Sequence, residues 1–180
     1  MRIYDQSAFI ARSLLFSGLA AVAGFAVAAQ PGLGKPVSPA DIAAIDISIP
    51  PSGEGLPAGS GDAVAGKAVY AEKCAACHAQ AGKGKPADAL VGGIGSLGSA
   101  KPVKSVGSYW PYATTLFDYI RRAMPLDAPM SLSVDEVYAV TAYVLSLNGI
   151  VSETEILDAG TLPAVRMPNR SRFNDRSGVR

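Results

Sequence analysis

The sequence predicts an all-α domain of a few helices with an extended arm at each end. Three observations predict it. A capping box, Ser133-Val134-Asp135-Glu136, precedes the apolar run VYAVTAYVLSLNG. Both cysteines and the sole histidine of a 180-residue chain fall within KCAACHAQ, residues 73–80. Proline and glycine punctuate residues 30–61, and residues 150–180 carry little periodicity. The length suits one domain with arms. A formal net charge of +1 implies no strong bulk attraction to nucleic acid.

Residues 1–29 read as a secretory signal peptide. Arg2 and Arg12 flank a polar lead, Ser13 to Ala29 is apolar and uncharged, and Ala26, Ala28 and Ala29 offer small-residue cleavage frames. An uncleaved anchor is the alternative, but the apolar run is short of the about 20 residues a spanning helix needs. The arm at 30–61 follows, with PADIAAIDISI more apolar than a free linker and able to form a short docked helix or strand.

The domain, 62–149, begins with Asp62 as a cap. Ala65, Val69, Tyr70 and Cys74 then supply helical spacing into the cysteine motif. Cys74-Ala75-Ala76-Cys77-His78 is C-x-x-C-H, the pattern that attaches haem c. Two thiols must add to two vinyl groups on one porphyrin edge, and two intervening residues let one helical turn present both. The histidine beside them can ligate iron through Nε2 while Nδ1–H donates to a backbone carbonyl. The competing readings are weaker. A thioredoxin-type motif needs a βαβ setting, zinc needs a fourth ligand that the chain has no further His or Cys to give, and a local disulfide leaves His78 unexplained.

One histidine excludes bis-histidine ligation within the chain. Methionine is the common sixth ligand of electron-transfer cytochromes c. Met124, before the stiff Pro125, is the first candidate; Met130 is the alternative, and Met167 lies in the C-terminal arm.

Residues 79–107 read as loop wrapped on one haem face, with the Pro86 carbonyl as the expected acceptor for His78 Nδ1. Lys83, Lys85, Lys101 and Lys104 either ring a haem edge toward an acidic partner or are solvated loop charge. A dense aromatic group, Trp110 to Tyr119, leads into a helix expected to start at Thr114 or Thr115 and end near Ala123. Arg121 and Arg122 suit its C-terminus, or one meets a haem propionate. Val137, Val140, Val144 and Leu147 form the stripe of the last helix, and Gly149 stops it. A domain of about 90 residues buries a marginal core alone, so one enclosed haem would complete it. The arm at 150–180, with arginines and Phe173, is either a disordered basic end or a segment that orders on a partner.

No nucleophile–base pair or paired carboxylates are evident, and the histidine is committed. The chain reads as a one-electron carrier rather than a catalyst, with no catalytic residue of its own.

Cys74-x-x-Cys77-His78, Met124-Pro125 and the Ser133–Leu147 helix resemble class I cytochromes c over residues 62–148. SPADIAAIDISIPPSGEGLPAGSG, GSYWPYATTLFDYIRRAMP and DEVYAVTAYVLSLNGIV further resemble the cytochrome c domain of the SoxD-type subunit of sulfane (sulfite) dehydrogenase, from about Gly32 to Asn169. The resemblance implies a class I cytochrome c fold and a periplasmic location. It also implies a molybdopterin dehydrogenase subunit as electron donor, a downstream acceptor such as another cytochrome c, and arms that wrap the catalytic partner. Some relatives carry two haems; this chain has one motif. A free periplasmic shuttle is the second reading, and a haem sensor or peroxidase with an open iron site the third.

Overall fold

The computed structural model describes residues 34–172. The expected signal peptide and Phe173 lie outside the described residues. Two compact units divide at Asp41/Ile42. The described part of the first, residues 34–41, opens helix α1 (Pro39–Ile45), where the Asp41 N–H donates to Ser38 Oγ at 3.2 Å. No helix among the described residues is long and apolar enough to cross a membrane.

The second unit is helical, as expected. In order it holds β1 (Ser60–Gly61), α2 (Ala63–Lys73), α3 (Ala75–His78), α4 (Val106–Tyr109), α5 (Ala113–Ala123), α6 (Val134–Leu147) and β2 (Leu157–Asp158). Asp62 caps α2 as the sequence indicates, its carboxylate accepting from Ala65 N at 2.8 Å. Of the expected face, Val69, Tyr70 and Cys74 pack on the core, and Ala65 does not. Ala63, Gly66 and Tyr70 face inward while Ala65 is exposed. The reason is the crossing with α6. A Cβ on Gly66 would stand 1.9 Å from the Ala139 carbonyl oxygen, so only glycine admits this approach. Tyr70 and Tyr143 close the crossing with ring centroids 5.2 Å apart.

In α6 the capping box forms in both directions, Ser133 Oγ accepting from Glu136 N and Glu136 Oε2 from Ser133 N. Gly149, at φ 68°, ends the helix, and the Ile150 N–H returns to the Leu145 carbonyl. Residues 137–142, 144 and 145 are all buried, more than one stripe. Both arms supply the extra cover. Strands β1 and β2 pair antiparallel, Ser60 opposite Asp158 and Gly61 opposite Leu157. Leu157, Leu162, Val165 and Met167 of the C-terminal arm join the core. Burying a side chain of this size contributes roughly 1.5–3 kcal/mol. The arm shows no period because these residues sit on irregular backbone, not on one helix or strand.

Helix α5 begins at Ala113, one residue before the expected Thr114 cap, and no side chain caps it. Thr114 is used elsewhere. Its hydroxyl donates to the Pro51 carbonyl at 3.2 Å, the Asp118 carboxylate accepts from Ile49 N at 3.0 Å, and Arg121 Nη1 donates to the Ile47 carbonyl at 3.3 Å. Positions 114, 118 and 121 lie on one helical face, and 47, 49 and 51 are alternate residues of extended chain. One face of α5 thus satisfies the backbone of the N-terminal arm. Tyr138 Oη continues the series to the Pro57 carbonyl at 3.0 Å. Within the expected 79–107 loop a four-residue helix, α4, forms at its end, capped reciprocally by Ser105 and Ser108; it is too short to show a helical period.

Gly66→Ala should destabilise the protein by about 3 kcal/mol, from forced overpacking at the crossing. Urea unfolding of the haem-loaded protein measures it. Gly149→Ala, at an open position, should cost about 1 kcal/mol for its positive φ alone.

Candidate functional site

The cysteine motif sits where α2 gives way to α3. Cys74 leaves the helix (φ −121°, ψ −35°), and its carbonyl then accepts from both Cys77 N (3.1 Å) and His78 N (3.0 Å). The helix expected to run into the motif does so: α2 ends at Lys73 with Cys74 as its cap, and the separate short helix α3 carries the rest of the motif. Both cysteines are free thiols: Cys74 is half-buried and Cys77 exposed. Burial, and secondarily the Cys77 thiol, pushes Cys74 up to about 11.

The loop after the motif wraps the imidazole. Gly84 N donates to the His78 carbonyl and Ala87 N to the Cys77 carbonyl, each at 2.9 Å. His78 Nδ1 lies 2.8 Å from the Asp88 carbonyl oxygen. A carbonyl only accepts, so Nδ1 donates to it, and Nε2 is the ring nitrogen left to face a metal. The acceptor is Asp88, not the expected Pro86, because the chain reverses through residues 84–87 before reaching the ring. Tyr70 Oη donates to the Ala79 carbonyl at 2.9 Å, fixing the exit from α3.

The three methionines differ sharply. Met124 ends α5, its N–H donating to the Ile120 carbonyl at 3.0 Å, and its half-buried side chain packs on the core. Met130 is 64% exposed on a residue at φ 62°. Met167 is fully occupied in core packing at 4% exposure. The expected lysines are exposed, with Lys104 Nζ 5.1 Å above the Tyr109 ring. Of the two arginines of α5, Arg121 donates to the Ile47 carbonyl through Nη1, and Arg122 pairs with Asp118. Among the described residues no group of three or more His, Cys, Asp or Glu is placed to hold a metal ion. The two sulfurs and the imidazole do not converge as a zinc site would require.

The donor set fits haem c: two free thiols one turn apart, an imidazole whose Nδ1 is engaged by a carbonyl so that Nε2 is the nitrogen left for iron, and a half-buried thioether on a separate element. Sequence reasoning missed Asp88, whose backbone role has no residue-type signal, and Asn148. The Asn148 side chain spans from the end of α6 to the 90–92 loop; an asparagine directly before a helix-stopping glycine was its only trace.

Comparisons with known proteins agree with this fold. The cytochrome c family profile matches residues 63–148. A chain in the crystal structure of the sulfane dehydrogenase SoxCD from Paracoccus pantotrophus is 41% identical, with a TM-score of 0.73. The match covers 83% of this chain and 75% of that one. No curated protein matches the sequence.

Burial is the main cause that raises Tyr70 to about 12 from 10.0. A raised pKa stabilises the folded state fully below pH 10 and loses that contribution as pH rises through 12. Two pH units correspond to at most about 2.7 kcal/mol. Urea midpoints measured between pH 9 and 12 should fall less steeply in Tyr70→Phe than in the parent.

Proposed function

The chain belongs to the cytochrome c family, and from that premise we propose that it carries single electrons in the periplasm as the electron-accepting subunit of a molybdenum sulfite or sulfane dehydrogenase. Electron transfer through covalent haem c is the function of the family. The finer reading assigns one haem, held at the one C-x-x-C-H motif. The observation that carries the partner assignment is 41% identity, over most of both chains, to a chain of SoxCD.

Haem, when bound, supplies a one-electron Fe(III)/Fe(II) couple. The residues here would do the rest. Cys74 and Cys77 would hold the group through thioethers, so it stays on the chain through every redox cycle. His78 would ligate through Nε2, its tautomer fixed by the Asp88 carbonyl. Met124 would provide the sixth ligand. Its thioether raises the potential, and its half-buried position keeps water and small substrates from an open site. Met130 is too exposed to shield such a bond. The core from α2, α5 and α6 would shield a group held at the motif from solvent on that side, which would keep reorganisation small on electron transfer. In this reading the partner oxidises the sulfur substrate, and the electrons pass on to a downstream acceptor such as another cytochrome c.

A free shuttle is the second reading. Residues 47–61 and 150–169 pack on the chain's own core, so the arms alone do not demand a partner.

Affinity purification from a periplasmic extract separates the two. A stoichiometric molybdenum-containing subunit, and haem reduction on adding its sulfur substrate, are expected. A monomer that no such subunit reduces would overturn the dehydrogenase assignment. Within the site, Met124→Ala should abolish the Met–Fe(III) charge-transfer band in the ferric spectrum and lower the potential, while Met130→Ala retains both. The reverse pattern would make Met130 the ligand, and a high-spin, cyanide-binding ferric parent would indicate an open iron site.

A further inference from the structure

The axial imidazole depends on a backbone carbonyl, and a carbonyl in a loop is only as well placed as the loop. Asp88 lies two residues before Leu90, where the loop is pinned most densely. Leu90 N donates to the Gly82 carbonyl at 2.8 Å, and the Leu90 carbonyl accepts from Val106 N at 3.2 Å and from Asn148 Nδ2 at 3.1 Å. The same Asn148 amide accepts from Gly92 N at 3.3 Å through Oδ1 and donates to the Val144 carbonyl at 2.9 Å through Nδ2. One primary amide thus engages residues 90 and 92 as a neighbouring strand would, and ties them to the C-terminus of α6. Its orientation is forced, since Nδ2 faces two carbonyl oxygens and Oδ1 faces an N–H. Gly107 leaves room for it; a Cβ there would stand 2.2 Å from Oδ1.

We propose that Asn148 is a positioning residue for the axial histidine: by clamping Leu90 and Gly92 it holds the Asp88 carbonyl on His78 Nδ1, and so sets the donor strength of the imidazole. This rests on His78 ligating iron, as proposed above. A hydrogen bond from Nδ1–H raises imidazole basicity and favours the ferric state. Loosening the clamp weakens that bond and moves the potential upward. Asn148→Asp is the sharpest change. It keeps the acceptor for Gly92 N, removes both donors, and sets a carboxylate against two carbonyl oxygens at a helix C-terminus.

The test uses the full-length, haem-loaded protein. The solvent exchange rate of the His78 Nδ1 proton is read by NMR in the ferrous form, alongside the reduction potential. In Asn148→Asp, and in Asn148→Ala should the aspartate variant not fold, exchange should quicken by about tenfold or more, the potential should rise, and the Met–Fe(III) band should remain. Tyr138→Phe, which loses the distant bond to Pro57, serves as control and should move neither. In the parent protein itself, the Gly92 amide and the Nδ1 proton should exchange through the same opening, with matching dependence on low urea. An unchanged Nδ1 exchange rate, an equal response in Tyr138→Phe, or unrelated openings in the parent would overturn the assignment. Failure of the ligation reading looks different: the parent would show no iron-bound His78 resonance.

Discussion

The contact of α2 with α6 at Gly66 is the constraint on which the rest depends. There two helix backbones meet with no side chain between them, a Cβ at Gly66 being excluded by the Ala139 carbonyl. Each helix runs on from that point by roughly two turns. Beyond it, α2 delivers Tyr70 and then Cys74, while α6 delivers Tyr143 and then Asn148. The motif and the clamp on its loop are therefore placed by one crossing. Small errors in it would be carried to both ends, since packed interiors transmit strain rather than absorb it.

The second constraint is the satisfaction of extended backbone against a helix. The N-terminal arm has no strand partner over residues 47–51, so its polar groups would be costly to bury there. Thr114, Asp118 and Arg121 take that place. Asp118 is buried, and its charge is acceptable because Arg122 and Ile49 N–H both serve it. The arms in this way extend the core that the central domain of this size lacks, and they leave α6 buried on nearly every side.

Much of this was legible in the sequence. The C-x-x-C-H spacing carries its chemistry in residue types, and the Ser133–Glu136 box and Gly149 mark α6 because caps are local. The burial of Ala63 in place of Ala65 was not legible, since periodicity gives a stripe but not which partner it meets. The Asp88 acceptor was hidden for a different reason: any residue offers a carbonyl, so only the path of the loop decides. The C-terminal arm could not be told from sequence as disordered or as ordering on a partner, because Leu157, Leu162, Val165 and Met167 follow no regular period, yet all four reach the chain's own core. The partners of Arg121 and Arg122, the arm's backbone and Asp118, were not legible, because they depend on the path of the arm and not on the helix that carries the arginines.

The proposed electron carrier requires one haem covalently bound through the thiols of Cys74 and Cys77. Intact mass spectrometry in denaturing solvent, on protein exported from cells able to mature c-type cytochromes, tests it most directly. The chain should carry the added mass of one haem, lost wholly when both cysteines are replaced by alanine. A chain at its unmodified mass, or short by two hydrogens as a Cys74–Cys77 disulfide would leave it, would contradict the account.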